Sequence, residues 1–186
     1  MTALSALWLP ILLSAVFVFI VSSIIHMTPL WHKNDYPALP NQDQVRDALR
    51  ALAIPPGDYV FPRPKDMKEM RTPEFKEKFK AGPVVFMTIV GNPSMSMTRP
   101  LTLWFIFALV VNFLAAYVAS RTLAPGADRE MVFCIVAITA FIGYAAALWE
   151  MSIWYSRSWV MTLKSTIDGL IYGAVVGATF IWLWPR

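Results

Sequence analysis

The sequence predicts an all-α membrane protein: four transmembrane helices with a polar insert between the first and the second. Three observations predict it. Of 186 residues, 57% are hydrophobic and mean hydropathy is +0.52, whereas soluble domains sit near about 45–50% apolar. The charges are segregated: 18 of the 28 charged side chains lie between Lys33 and Gly82, ten basic and eight acidic, which leaves ten for the other 136 residues. The remaining chain is made of apolar stretches long enough to cross a hydrocarbon core of about 30 Å. The net charge of +4 is then a topology signal rather than a nucleic-acid footprint.

Residues 1–26 form the first span. Positions 4–25, LSALWLPILLSAVFVFIVSSII, carry no charge and would make a helix of about 33 Å. No Lys or Arg precedes them and no small-x-small site closes them, so the stretch reads as a span rather than a signal peptide. Pro10 marks a kink or the first turn, where proline is tolerated.

Residues 27–99 form the insert, with two short helices and an interfacial segment. HMTPLWHKNDYPALP, from His26 to Pro40, leaves the membrane without regular structure. Asn41 is the expected cap of the first short helix, with Gln44 completing a capping box and Val45, Leu49 and Leu52 on one face. Pro55-Pro56-Gly57 ends it, and IPPGDYVFPRP reads as a turn-rich connector. Thr72-Pro73 supplies cap and first position for a second helix, PEFKEKFKA. It is basic and amphipathic, with Phe75 and Phe79 on one side. It packs on a neighbouring element or, as the alternative, on anionic lipid headgroups. Between Pro83 and Met97, VVFMTIV is too short to span as a helix, and Gly91-Asn92-Pro93 signals a turn. A short hairpin, an interfacial segment or a re-entrant loop would fit.

Residues 100–186 hold the other three spans, 101–119, 131–149 and 167–184. Arg121 to Glu130 is a short loop around Pro125-Gly126. The last span carries Gly169, Gly173 and Gly177 at spacing four, one side of a helix. Such a row serves close backbone approach, because lipid offers little hydrophobic drive between helices. Thr139, Gly143 and Ala147 make a matching row on the third span and are its expected partner. Asn112, Ala116 and Ser120 form a further row on the second span, free to face a neighbouring chain. Met151 to Lys164 is aromatic and mildly basic and suits the headgroup zone. Cys134 is the only cysteine, so no intrachain disulfide is possible, and in an apolar span it reads as an inert packing thiol.

With four spans, the insert and the 150–166 loop share one side, which holds 13 of the 16 Lys and Arg residues. The positive-inside rule makes that side cytoplasmic and puts both termini outside the cytoplasm. Trp8, Trp182 and Trp184 mark the outer boundary, and Trp31, Trp104, Trp149 and Trp154 the inner one. The plan resembles small four-span bacterial membrane proteins, which implies a bacterial inner membrane; no residue motif carries that likeness.

This topology gathers His26, Arg99, Glu150, Arg157, Lys164 and Asp168 at one membrane boundary. Glu150 and Asp168 abut apolar spans, where an ionised carboxylate needs a partner; Arg157 or Lys164 would supply it. The cluster reads first as an ion-pair lock between the last two helices, with Asp168 also at a helix N-terminus, where negative charge is favoured. The alternative is a proton, ion or solute path through Glu150 and Asp168. Mid-span polar residues are Asn112, Thr139 and Thr179, each able to bond between helices. His26 and His32 are the only histidines; with methionines nearby they would make a soft metal site, or His26 a haem ligand, in a redox subunit. Motifs for zinc proteases, serine hydrolases, P-loops and C-x-x-C redox sites do not occur. The expected function is therefore a non-enzymatic accessory or structural subunit. Its partners are the lipid bilayer and other integral membrane subunits or itself, not nucleic acid, and no cofactor is indicated.

Overall fold

A computed structural model describes residues 1–28, 31–91 and 94–186. In chain order the elements are α1 (Trp8–Met27), α2 (Gln42–Ala51), β1 (Gly57–Phe61), α3 (Pro73–Ala81), β2 (Val85–Ile89), α4 (Thr98–Thr122), α5 (Arg129–Ala145), α6 (Trp149–Tyr155) and α7 (Trp159–Leu183), with 3₁₀ turns at Leu4–Leu7, Glu69–Arg71 and Ala146–Leu148. They form two compact units: Met1–Tyr36 with Ser96–Arg186, and Pro37–Met95.

The first unit is a helical bundle. Four helices, Leu4–Met27, Thr98–Thr122, Arg129–Tyr155 and Trp159–Leu183, are long and apolar enough to cross a membrane. The chain is a multi-pass integral membrane protein. Two spans run further than the apolar pattern implied. The third continues past residue 149 through the 3₁₀ turn into α6, and the fourth begins at Trp159 rather than 167. Met151 to Lys164 is therefore largely helical. Helix capping accounts for the loops. Asp128 Oδ2 accepts from the backbone N–H groups of Glu130 and Met131 and starts α5. Ser156, at φ 54°, ends α6 in the left-handed region.

The glycine row works by close approach to α5. A Cβ added at Gly169 would lie 2.5 Å from Ala145 Cβ, one at Gly173 2.7 Å from the Ala137 carbonyl oxygen, and one at Gly177 2.8 Å from the Phe133 ring. The partner row is thus Phe133, Ala137, Phe141 and Ala145, not Thr139, Gly143 and Ala147. Gly143 instead faces Val111 of α4, 2.8 Å from a built Cβ. Thr139 bonds back to the Ile135 carbonyl, and Ala147 lies exposed in the 3₁₀ turn. The helical period explains the misreading: positions 137, 141 and 145 lie on another side of α5, and alanines there are as thin as the recognised row.

On α4, Asn112, Ala116 and Ser120 are buried inside the bundle, so this row does not face a neighbour. Asn112 is fully buried and joins three helices. Its Nδ2 donates to Ser14 Oγ at 2.8 Å, and its Oδ1 accepts from the Tyr144 hydroxyl at 3.1 Å. Thr179, like Thr139, bonds back to its own helix. Trp104 donates to Ser22 Oγ at 2.8 Å and packs with Phe107, Tyr144 and Tyr172, ring centroids 5.4–6.0 Å apart. Cys134 lies exposed on α5 rather than packed.

The second unit departs from an all-α plan. Strands β1 and β2 pair antiparallel from Gly57↔Ile89 to Phe61↔Val85, with α3 in the connection. DYVF lay hidden in the proline-rich connector, and its partner is the VVFMTIV run. Within the stretch from 84 to 97, residues 85–89 therefore pair with distant chain. Asn92 and Pro93 of the expected turn lie outside the described residues. Thr72 caps α3 by accepting from Phe75 N–H, with Pro73 at the first position, as the sequence predicts. Asn41 does not cap α2 through its side chain; it sits at φ 53°. No described residue of this unit is buried.

Gly173→Leu should destabilise the bundle by about 1–3 kcal/mol or more, because the new side chain meets a backbone carbonyl that cannot retreat alone. Leu170→Ala, on the exposed face of the same helix, should leave thermal unfolding in detergent nearly unchanged. Equal effects of the two would place the glycine row against lipid.

Candidate functional site

Asp168 is the nucleus of the site. It lies nine residues into α7, roughly 14 Å from the helix start, and only 4% of it is exposed. The helix N-terminus therefore does not stabilise it. An ionised carboxylate so placed needs donors. They come from the segment after α1. The Trp31 indole Nε1–H donates to Asp168 Oδ1 at 3.0 Å, and His32 Nε2 lies 3.0 Å from Oδ2.

The segment is itself clasped. His32 Nδ1 lies 2.6 Å from Asp35 Oδ2. Lys164, one turn before Asp168 on α7, donates to Asp35 Oδ1 and to the Trp31 carbonyl, both at 2.6 Å. The hydrogen bond from His32, then that from Lys164, hold the Asp35 carboxyl below the usual carboxylate range. His26, in the last turn of α1, stacks its ring on His32, centroids 4.4 Å apart and 10° from parallel. Its Nδ1 lies 2.9 Å from the Ser22 carbonyl oxygen. A carbonyl only accepts, so Nδ1 carries the hydrogen of that contact. The donor atoms of His26, His32 and Asp168 fall within 4.8 Å of one another.

The boundary cluster expected from the sequence is thus partly assembled. His26, Lys164 and Asp168 come together, joined by His32. Arg99 is exposed in the first turn of α4, Glu150 is exposed on α6, and Arg157 follows α6; none shares a hydrogen bond or ion pair with the cluster among the described residues. The lock therefore does not tie Glu150 to the last helix. Lys164, its expected partner, is held by Asp35. A different set of bonds joins α6 to α7: Ser152 to Thr162 at 2.6 Å, and Trp149 Nε1–H to Thr166 at 3.0 Å. Trp31 and Asp35 were the residues sequence reasoning missed. Their signal was a tryptophan, a histidine, a lysine and an aspartate packed into five positions directly after an apolar span.

Comparison with family models, with curated proteins and with solved structures finds no match for this chain.

Removing the Asp168 carboxylate leaves the Trp31 N–H and the His32 ring without their acceptor. Asp168→Ala should therefore cost about 1–3 kcal/mol of stability. Glu150→Gln, at an exposed position, should stay within about 0.5 kcal/mol of the parent. Thermal unfolding in a mild detergent measures both, and the opposite ranking would show that Glu150 carries the lock.

Proposed function

We propose that this chain is a non-enzymatic, four-span subunit of a bacterial inner membrane that holds its insert in the cytoplasm and joins a larger membrane assembly through it. The observation that carries the reading is the state of the insert. Its described residues include no buried side chain, while Leu52, Met67, Phe79, Phe86 and Val90 stand exposed. A unit of this size without a core is marginal by itself. Apolar side chains left in water favour a surface that covers them. The same unit also carries charge, in the α3 lysines and the ion pairs of α2, and protein contacts combine apolar side chains with a polar rim. The partner is another integral membrane subunit.

The orientation rests on charge. Lys33, Arg99, Arg157 and Lys164 lie at or near the ends of spans on the side of the insert, against Arg121, Arg129 and Arg186 on the other. Single cysteines placed in the insert, in a Cys134→Ala background, should resist a membrane-impermeant thiol reagent in intact cells. Labelling of the insert with protection of the 121–130 loop would invert the topology.

Native electrophoresis after digitonin extraction tests the assembly. The chain should migrate well above its 21.0 kDa plus detergent, and Leu52→Glu with Phe79→Glu should collapse it toward the monomer. A band containing this chain alone identifies a homo-oligomer. A stable, well-folded monomer from the parent chain would sink the proposal.

A further inference from the structure

We propose that His26, His32 and Asp168 bind one divalent transition-metal ion of the zinc class. Three separate segments bring these groups together: the last turn of α1, the chain that follows it, and the interior of α7. Their donor atoms already lie within 4.8 Å of one another. The fixed half of the site is His32 with Asp168. Nε2 and Oδ2 stand 3.0 Å apart, a few tenths of an ångström short of the roughly 3.4 Å between two tetrahedral ligands each about 2.1 Å from a common ion.

The outer contacts match what a metal-binding histidine requires. A ligating imidazole gives its other N–H to a carboxylate or a backbone carbonyl, which fixes its tautomer and orientation. His32 has Asp35 at Nδ1, and His26 has the Ser22 carbonyl at Nδ1. In each ring Nδ1 is thereby engaged, which leaves Nε2 as the atom an ion would take, on His32 in place of its contact with Asp168. Asp35 is in turn held by Lys164, and the second oxygen of Asp168 by Trp31. Charge points the same way. Two carboxylates face one ammonium in a half-covered cluster, and a cation redresses that balance.

His26 is the moving half. Its ring now lies flat on His32, so its nitrogen does not share a plane with an ion on the His32 lone pair. The side chain is exposed, and bringing Nε2 onto the ion requires its ring to turn, which shifts its present contact with the Ser22 carbonyl. Two imidazoles and one carboxylate select zinc or a similar d-block ion over calcium or magnesium, which prefer oxygen. Three protein ligands also leave a position for water. One turn further along α7, the buried Tyr172 hydroxyl has no hydrogen-bond partner among the described residues.

The test uses the full chain without a histidine tag, in detergent, stripped by chelator and titrated with Zn²⁺ by equilibrium dialysis and with Co²⁺ by absorption. The parent should bind a single equivalent and show the spectrum of a nitrogen-coordinated cobalt ion. Asp35→Asn should weaken binding by about 10–100-fold, and His26→Gln by at least as much. His26→Gln touches only an exposed ring, so its fold is checked by unchanged circular dichroism. Absence of stoichiometric binding by the parent would falsify the proposal. Equal affinity of the parent and His26→Gln would likewise overturn it. Neither result bears on the assembly reading, which electrophoresis decides.

Discussion

The bundle depends on how closely the backbone of α7 approaches that of α5. In lipid, apolar side chains gain little by leaving the solvent, so helices adhere through dispersion and close fit. Gly169, Gly173 and Gly177 remove the side chains that would hold α7 away from Ala145, Ala137, Phe141 and Phe133. At about 100° per residue, the row Asp168, Tyr172, Val176 and Phe180 lies directly beside the glycines. As the helix sinks against α5, that second row becomes buried too. The position of Asp168 is a consequence of the glycines next to it.

A buried carboxylate then dictates what the chain after α1 must do. Water cannot satisfy Asp168, so Trp31 and His32 fold back onto it. Asp35 and Lys164 complete the clasp by pairing with each other and with His32 and Trp31. The result is a polar network on three segments in which nearly every donor has an acceptor. Such networks are stiff, because losing one member strands the others. The same stiffness presets ligand geometry at His32 and Asp168 while His26 stays outside the clasp.

The insert obeys different physics. Its strands and helices are held by backbone pairing, capping and ion pairs, and none of its described residues is buried. It begins at Pro37, two residues after Asp35, so in the chain the clasp stands where bundle gives way to insert.

The sequence by itself determined the four spans, the charge-rich insert, the thin face of the last helix and the Thr72-Pro73 helix start. Each is written in a local pattern: run length, charge segregation, a period of four, a cap followed by proline. Only the tertiary structure decided which side of α5 receives the glycines, since alanines at 137 and 145 are as permissive as Gly143. Only it joined 57–61 to 85–89 across α3, because strand pairing links distant backbone through bonds that carry no residue signature. And only it exchanged Glu150 for Trp31, His32 and Asp35 around Asp168. A carboxylate at a span end shows that a partner is needed. Which partner arrives depends on where α7 begins, on the face the glycines turn inward, and on how the chain after α1 bends back to meet it.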